Sequence, residues 1–399
     1  MDSVGKRNVL WLCEKLYSYF YKRDNKLWVF GEWFGNKCCD NSLFLANYIS
    51  DNYPEIQCVW ISKKATDLSL LSKKTKYVEK DSAESKEILK HAGVAIYNQS
   101  LADFSENMNM YCSGAITINL WHGVPWKKIG LDTFSNDNNL RKIYAGYVLK
   151  LHRPSAYLSV SSDFTKILKS ANFAREKGII KSGYPRNSIF YNKQSVQEAR
   201  NKMLNVIKSK FGVKIDDSIK LITYMPTFRD KTNNVFSFEQ IASDKRLEGV
   251  LDEHNAIIVQ KAHFINDSNN PSKKSQSSKR ILALNDVAAQ ELLAATDILI
   301  TDYSSGFFDF LVLNRPIIHY LYDYDYYANK DRGLYYRKED VVCGDAPETV
   351  DELIKFIDDN LRNPDKYVTL RKKRKEQYVT YESQDSCEII YREIQKRLK

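Results

Sequence analysis

The 399-residue sequence lacks the short motifs of several large enzyme classes. It contains no G-x-G-x-x-G, no G-x-x-x-x-G-K-S/T and no H-E-x-x-H. The absence of these motifs disfavours a Rossmann dinucleotide-binding enzyme, a P-loop enzyme and a zincin. Its seven cysteines form no C-x-x-C pair and no metal-like spacing, which predicts reduced thiols in a cytosolic compartment. Asp323 and Asp325 have D-x-D spacing, but they lie in an aromatic run that we interpret as a packed loop, and no metal site is predicted.

Uninterrupted apolar segments are short. No run reaches about 18 residues, the length that indicates a membrane span. Charges interrupt every apolar run of the N-terminus and no small-residue cleavage site follows, so no signal peptide is predicted. We therefore expect a cytoplasmic protein, with peripheral association at the cytoplasmic face of the cell membrane as an extension of that prediction. Residues 8–22 fit either an amphipathic helix at such a surface or an ordinary packed helix.

The composition is that of a globular protein, with 43% hydrophobic and 28% charged residues. It excludes disordered, collagenous and coiled-coil chains. Sixty Lys and Arg against 50 Asp and Glu give a net charge of +10, so an anionic partner is expected. The excess is spread along the chain without a basic stripe of stacking aromatics, which disfavours nucleic acid and leaves acidic small molecules and anionic lipid surfaces.

Short β-branched or aromatic runs alternate with amphipathic stretches almost throughout. This alternation predicts parallel sheets built from βαβ units, and therefore an α/β fold. A lysine-rich helical segment near residues 187–215 separates two groups of strands. It predicts two doubly wound, Rossmann-like domains, 1–190 and 191–399, with a ligand cleft between them and the last helices packed back on the first domain. The predicted strands are Leu27–Phe30, Ile56–Ile61, Gly93–Tyr97, Ala115–Leu120, Tyr157–Val160, Ile179–Ser182, Lys220–Tyr224, Ala256–Gln260, Asp297–Thr301 and Pro316–Tyr320.

The segment INLWHGVPWKK, residues 118–128, places a histidine at the carboxyl end of a predicted strand. α/β folds put their chemistry at such ends. A neutral imidazole at His122 can take a proton from an attacking hydroxyl near pH 7. Gly123 permits close approach to the backbone. The alternative is a core histidine that holds a loop.

A second segment, DILITDYSSGFFDFLVLN, residues 297–314, turns from a buried strand into a helix. Free N–H groups at the helix start, with the hydroxyls of Ser304 and Ser305, suit a diphosphate. Ordinary N-capping by Asp302 or Ser304 is the alternative.

Two further strand ends carry cations, Lys261 with His263 in VQKAHF and Arg229 in YMPTFRD. These groups suit charge stabilisation on a leaving phosphate. Simple solvation is the alternative for Lys261 and His263, and an ion pair with Asp230 is the alternative for Arg229.

Taken in order, these segments resemble the CDP-glycerol glycerophosphotransferase family of teichoic-acid and capsule synthesis. The resemblance covers roughly residues 28 to 330. It departs from the family pattern at Ser188, where an acidic residue is common, and at Phe264, which replaces a proline, so the acceptor and processivity are not predicted. The motifs that carry it are GNKCCDN (35–41), LWHGVPWKKIG (120–130), SGYPRN (182–187), YMPTFRD (224–230), KAHF (261–264), DILITDYSS (297–305) and RPIIHYLYD (315–323).

The resemblance implies a GT-B arrangement, with the acceptor held by the first domain and the CDP-polyol by the second. It implies His122 as the catalytic base, His263 as a second catalytic residue, and Asp302, Ser304 and Ser305 in binding the CDP moiety. The other expected substrate-binding residues are Gly123, Lys127, Arg186, Arg229 and Lys261.

The implied function is transfer of a polyol phosphate, glycerol phosphate by preference, from a CDP-polyol to a hydroxyl of a cell-surface glycan or lipid-linked acceptor. CMP is released, in teichoic-acid-like or capsule polymer synthesis. The expected partners are CDP-glycerol or a related CDP-polyol and the acceptor, and no metal or other cofactor is expected. Two alternatives stay open, a GT-B glycosyltransferase that uses a nucleotide sugar and a non-catalytic member that binds polymer.

Overall fold

The computed structural model describes residues 3–134, 139–213, 215–227, 236–261, 279–330 and 333–399. The chain folds into two compact units. The first comprises Met1–His122, Gly130–Ser188 and Thr380–Lys399, and the second comprises Gly123–Ile129 and Ile189–Val379. The predicted ranges 1–190 and 191–399 differ from these units mainly in two segments, because residues 123–129 pack in the second unit and residues 380–399 in the first.

The first unit contains seven strands: β1 (Asp24–Phe30), β2 (Gln57–Ser62), β3 (Lys76–Glu79), β4 (Ala92–Tyr97), β5 (Ile116–Asn119), β6 (Ala156–Ser159) and β7 (Ile179–Lys181). They form one sheet in the order β3-β2-β1-β4-β5-β6-β7, and every neighbouring pair is parallel. The direction of winding reverses between β1 and β4, as in doubly wound folds.

The second unit contains β8 (Lys220–Met225), β9 (Ala256–Gln260), β10 (Ile281–Ala283), β11 (Ile298–Thr301) and β12 (Ile317–His319). Their order is β10-β9-β8-β11-β12, again all parallel. The winding reverses between β8 and β11. The two sheets confirm the predicted α/β class with two Rossmann-like domains.

All ten predicted strands are present, and β3 and β10 are additional. Both lie at the outer edge of their sheets. β3 exposes three of its four residues, and β10 is only three residues long. Edge strands of this kind carry little of the continuous apolar pattern that marks a strand buried on both faces. The sequence pattern therefore does not predict β3 and β10.

Helices cover the strands, and several of them begin where a side chain satisfies one of their first free N–H groups. Ser161 accepts a hydrogen bond from the Phe164 N–H (3.1 Å), and Thr349 forms a capping box with Glu352. No described helix is long and apolar enough to cross a membrane. The helices are α1 (Ser3–Ser18), α2 (Asn41–Asn52), α3 (Ala83–His91), α4 (Asn139–Leu151), α5 (Ser162–Asn172), α6 (Lys193–Phe211), α7 (Lys245–Glu253), α8 (Ala289–Ala295), α9 (Gly306–Phe310), α10 (Tyr324–Lys330), α11 (Lys338–Val341), α12 (Val350–Arg362), α13 (Val368–Tyr378) and α14 (Ser386–Leu398).

The carboxyl ends of β1, β4 and β5 lie side by side, because these three strands are neighbours in a parallel sheet. The loops that follow them, near residues 31–40, 98–103 and 121–122, therefore meet at one edge of the first unit. In the second unit, the loops after β8 and β11 meet in the same way at residues 226–227 and 302–305. Both edges adjoin a reversal of the winding, where α/β sheets bind their ligands.

Candidate active site

His122 lies in a turn whose backbone is held in an uncommon conformation. Trp121 has a φ of 62° and Gly123 a φ of 139°, and positive φ values of this kind are costly for residues other than glycine. Hydrogen bonds fix the turn, since the Trp121 N–H donates to Asn119 Oδ1 (2.8 Å) and Asn41 Nδ2 donates to the Trp121 carbonyl (3.0 Å). Backbone strain that is held in place by surrounding contacts is a feature of functional sites.

The hydrogen bond of the His122 ring decides its tautomer. Nδ1 lies 3.3 Å from the backbone carbonyl oxygen of Asn98. A carbonyl oxygen only accepts, so Nδ1 must carry the hydrogen and the lone pair of the neutral ring is on Nε2. Within the described parts of the chain, Nε2 has no hydrogen-bond partner. The ring of Trp121 stacks on this imidazole with the ring centroids 5.1 Å apart.

The surroundings keep His122 neutral near pH 7. Burial lowers the pKa of His122 from its ordinary value of 6.5, and the positive charge of Arg186 lowers it further. The negative charge of Asp40 and the Asn98 carbonyl act in the opposite direction, but burial is the largest effect. A neutral ring with its lone pair on Nε2 has the protonation state that a general base requires.

Asp40 connects the elements around this histidine. It precedes α2 and accepts a hydrogen bond from the Asn41 N–H (2.7 Å). Its carboxylate also accepts from Arg186 Nη1 (2.7 Å) and from Trp33 Nε1 (2.9 Å). Arg186, which was predicted as a substrate-binding residue, is thus a buried ion-pair partner within the first unit.

Two further buried carboxyl groups hold the loops that frame His122. Glu32 accepts from the Asp40 N–H (2.8 Å) and from Asn98 Nδ2 (3.2 Å), and burial together with the charge of Asp40 raises the pKa of Glu32 well above its ordinary value. Asp103 accepts from the Asn98 N–H (3.0 Å) and the Phe34 N–H (2.7 Å). Burial raises the pKa of Asp103 to about 6. The carbonyl that orients His122 is therefore fixed from two sides.

The residues after His122 belong to the second unit, where Trp126 anchors them. Trp126 is fully buried and its Nε1 donates to the Tyr336 carbonyl (2.8 Å). Lys127 pairs with Leu334 in an isolated antiparallel bridge, and its ammonium lies 5.7 Å from the centroid of the Tyr327 ring. Gly123 begins this segment.

The loop after β11 contains the predicted diphosphate-binding residues. Asp302 is fully buried and accepts from the Thr227 N–H (2.8 Å), so it joins the loops after β8 and β11 and does not cap the helix. Ser304 Oγ accepts from the Gly306 N–H (3.3 Å). Ser305 is the residue that precedes α9, and its side chain forms no capping hydrogen bond. Both serines are partly exposed.

Lys261 extends from the end of β9, and its ammonium donates to the backbone carbonyls of Asn285 and Val287, at 2.7 Å each. The side chain thus has a structural role beside the predicted one in charge stabilisation. Arg229 and His263 lie outside the described residues, so their predicted roles stay predictions.

Comparison with known proteins identifies the family. Residues 15–396 match the CDP-Glycerol:Poly(glycerophosphate) glycerophosphotransferase family. The chain belongs to this family. The predicted family and the predicted reaction class, transfer of a polyol phosphate, are thereby confirmed, and the predicted GT-B-like fold class is confirmed by the structural similarity described next.

Individual members of the glycerophosphotransferase family and one solved structure are similar over most of the chain. The teichoic acid poly(glycerol phosphate) polymerase of Bacillus spizizenii is 28% identical over 361 residues, which is 87% of this chain and 88% of that protein. The teichoic acid glycerol-phosphate transferase of Staphylococcus aureus is 28% identical over 386 residues, or 93% and 94%. The fold is similar to the structure of the wall teichoic acid polymerase TagF, with a TM-score of 0.78 at 21% identity over 99% of this chain and 94% of that one.

In this glycerophosphotransferase, the structure brings some predicted residues together and leaves others apart. His122 and Arg186 meet around Asp40 in the first unit. Asp302 precedes Ser304 and Ser305 in the second unit, while the Lys261 ammonium binds carbonyls of another loop. Sequence reasoning assigned no role to Asp40, Glu32 or Asn98, although Asp40 lies within the motif GNKCCDN that carried the family resemblance.

A metal site has little support in the described residues. The one group of three metal-capable side chains close to one another there is Glu253, His254 and Asp358. His254 Nε2 lies 2.7 Å from Asp358 Oδ1, so these two side chains already satisfy each other. The group belongs to α7, α12 and the residue after α7, and none of the predicted site residues is part of it.

Proposed function

We propose that this glycerophosphotransferase moves glycerol phosphate from CDP-glycerol to a hydroxyl of a growing teichoic-acid-like or capsule acceptor and releases CMP. The observation that carries this proposal is the state of His122. Its Nδ1–H is occupied by the Asn98 carbonyl, and its Nε2 lone pair is left for a substrate. The family supplies the reaction class, and the histidine supplies a base at the carboxyl end of a parallel strand.

In the proposed reaction an acceptor hydroxyl oxygen attacks the β-phosphorus of CDP-glycerol. The hydroxyl proton passes to His122 Nε2 as the new P–O bond forms. The bond between the β-phosphorus and the bridging oxygen breaks, and that oxygen leaves with its electron pair on CMP. Transfer of this kind depends chiefly on positioning and on neutralising the charge of the phosphates.

We assign the neutralisation of CMP to residues of the second unit. Ser304 and Ser305 offer hydroxyl groups on a partly exposed turn, and Lys261 places a positive charge at the end of β9. Arg229 and His263 are the other candidates from the sequence. Cationic side chains and hydroxyls of this kind stabilise a phosphate leaving group directly, so the proposed reaction uses no metal or other cofactor.

The test is CMP release by the purified full chain offered CDP-glycerol, CDP-ribitol and a UDP-sugar in parallel, with a membrane fraction that contains teichoic-acid or capsule acceptors. CMP from CDP-glycerol alone would support the proposal. CMP from CDP-ribitol alone would change the donor and keep the reaction. UDP release would indicate a glycosyltransferase, and absence of both turnover and CDP-glycerol binding would indicate a polymer-binding protein.

We further propose that the first unit lies on the anionic cytoplasmic face of the membrane. α1 buries Trp11 in the core but exposes a series of apolar side chains, among them Leu16 (58% exposed), and Phe20, in the turn directly after α1, is 85% exposed. α4 exposes Leu140 (84%) and Ile143 (68%). The two helices touch, since Tyr144 Oη lies 3.2 Å from Asn8 Oδ1. Exposed apolar side chains on a protein with a net charge of +10 are typical of an interfacial anchor.

The membrane proposal is tested by sedimentation with vesicles of phosphatidylglycerol and phosphatidylcholine. We expect Phe20→Ser together with Ile143→Ser to reduce the bound fraction strongly while the free energy of unfolding is unchanged, because both side chains are exposed. Tyr326→Ser, which changes a less exposed aromatic of the second unit (36%), is the control. Equal binding by all three proteins would reject this surface as the anchor.

A further inference from the structure

A polar cavity of about 340 Å³ lies in the first unit near the amino ends of β5, β6 and β7. His122 follows the opposite, carboxyl end of β5. The cavity and the proposed transfer site are therefore at different ends of the same strand. The basic residues that line the cavity are Lys15, Lys150, His152, Arg153, Arg175 and Lys177.

These cations come from three separate parts of the chain. Lys15 belongs to α1, Lys150 to the last turn of α4, and Arg153 to the loop before β6. Arg175 and Lys177 lie in the loop before β7. Among the residues that the structure describes, no Asp or Glu lines the cavity. The convergence of five positive side chains from distant positions is a property of the fold and not of one basic run.

The acidic residues next to these cations in sequence form contacts with other residues. Glu176, which stands between Arg175 and Lys177, pairs with Lys169. Glu14, next to Lys15, accepts from the Met110 N–H (2.9 Å). Within the described residues, none of the five cations of the cavity forms an ion pair with a carboxylate.

Lys15, Arg153 and Arg175 lie close enough for their positive charges to repel one another. Burial and the charge of Arg153 lower the pKa of Lys15, and burial and the charge of Arg175 lower the pKa of Arg153. The Lys15 ammonium donates a hydrogen bond to the Leu151 carbonyl, which holds it beside these neighbours. A bound anion would replace this repulsion with attraction.

We propose that this cavity binds a phosphate group, carried either by a lipid headgroup or by a soluble phosphate ester. Guanidinium groups such as those of Arg153 and Arg175 match phosphate oxygens in paired hydrogen bonds. The hydroxyl groups of Ser113 and Ser155, which also line the cavity, add further hydrogen-bonding capacity. The site stands apart from the proposed reaction, because none of its residues is assigned to the transfer of glycerol phosphate.

The surroundings of the cavity relate it to the exposed apolar helices. Tyr19, which directly follows α1, lines the cavity and is 63% exposed. Lys15 and Lys150 come from α1 and α4, the two helices with exposed apolar side chains. A lipid phosphate in the cavity would therefore lie beside the apolar surface, whereas a soluble ester would need the cations alone.

The first arm of the test measures binding of inorganic phosphate to the full chain by isothermal titration calorimetry. The variant is Arg175→Glu with Lys177→Glu, because both side chains are exposed and their replacement spares the core. We expect the affinity for phosphate at this site to fall at least about tenfold, since each reversal turns attraction into repulsion. Lys220→Glu with Lys245→Glu, at two exposed lysines of the second unit, is the matched control and is expected to bind phosphate as the wild type does.

The second arm compares vesicles of pure phosphatidylcholine with vesicles that also contain phosphatidylglycerol. A loss of phosphatidylglycerol binding greater than that of two matched charge reversals in the second unit, Lys220→Glu with Lys245→Glu, would identify a lipid headgroup as the ligand. An equal loss, with phosphate binding impaired in the first arm, would identify a soluble phosphate ester. If the Arg175→Glu, Lys177→Glu variant matches its controls in both arms, the cavity is not a phosphate site. Thermal unfolding midpoints equal to that of the wild type would show that the variants are correctly folded.

Discussion

Arg186 Nη1 lies 2.7 Å from Asp40 Oδ1, and both side chains are almost completely buried. The pair joins the turn after β7 to the start of α2, and its two charges act on His122 in opposite directions. A charge pair beside a general base sets the pH range in which that base works. The pair therefore connects the packing of the first unit to the proposed chemistry.

Asp40→Asn is expected to move the acidic limb of the pH–rate profile to lower pH. Activity requires neutral His122 and is lost as pH falls through its pKa, which burial already holds below 6.5. Removing the negative charge of Asp40 disfavours the imidazolium, so the pKa falls further and the enzyme stays active in more acidic solution. The measurement is kcat/KM for CDP-glycerol from about pH 4.5 to pH 8.

Arg186→Gln provides the opposite control, because loss of its positive charge raises the pKa of His122. Its acidic limb is expected at higher pH than that of the wild type. Removing either partner of the buried pair also destabilises the protein by about 3–5 kcal/mol, so the profiles are compared under conditions where each variant is folded. Shifts in the same direction for both variants would contradict this electrostatic account.

His122→Gln is expected to lower kcat by about 10²–10⁴-fold, the usual contribution of a general base. The dissociation constant of CDP-glycerol should stay nearly unchanged, because we assign donor binding to the second unit. Rapid-quench measurement of CMP formation and equilibrium binding of CDP-glycerol separate the two effects. His91→Gln, at an exposed position at the end of α3, is the control, and normal turnover by His122→Gln would remove the base from the mechanism.

The sequence predicts the central strands because they are continuous apolar runs, and it predicts His122 because a histidine follows such a run. The residues around His122 are harder to predict from the sequence. Asn98 contacts His122 through its backbone carbonyl, a group that every residue type carries, while its side chain is bound by Glu32. Asp40 has the residue type and position of an ordinary N-cap and does cap α2, so its ion pair with Arg186, which is 146 positions away, requires the folded chain.

Lys261 is a second residue whose contacts could not be predicted from the local sequence. Its place after β9 suggested that the ammonium could stabilise the charge of a phosphate. No local pattern indicates that it donates hydrogen bonds to the carbonyls of Asn285 and Val287. These two carbonyls lie in the loop between β10 and α8. Because β10 was itself not predicted, the neighbourhood of Lys261 was not predictable either.

Lys261→Met is expected to reduce the free energy of unfolding by about 2–4 kcal/mol, because two hydrogen bonds from a charged group are lost and two carbonyls lose a donor. Urea denaturation measures the change. Lys261→Arg keeps the charge and donors and is expected to recover much of the stability. A variant that keeps full stability but binds CDP-glycerol more weakly would show that donor binding, not loop support, is the main role.

Trp126 supports the segment that follows His122, and its replacement is expected to affect both stability and turnover. The Trp126 ring packs against Tyr303 and Phe307, with centroid distances of 5.5 and 6.0 Å, and its Nε1 donates to the Tyr336 carbonyl. Trp126→Ala should cost about 3–5 kcal/mol of unfolding free energy through the cavity it leaves. Trp126→Phe keeps most of the volume and should cost about 1–3 kcal/mol through the unpaired carbonyl.

The effect on turnover separates this anchor from an ordinary core residue. Only three residues separate Trp126 from His122, and the backbone between them includes Gly123 in its positive-φ conformation. Loosening the segment should therefore disturb the His122 turn and lower kcat in Trp126→Ala even where the protein is fully folded. Trp60→Ala, which removes an equally buried tryptophan from β2, controls for loss of core volume. If both variants, when folded, show the same kcat, the segment after His122 does not position the base.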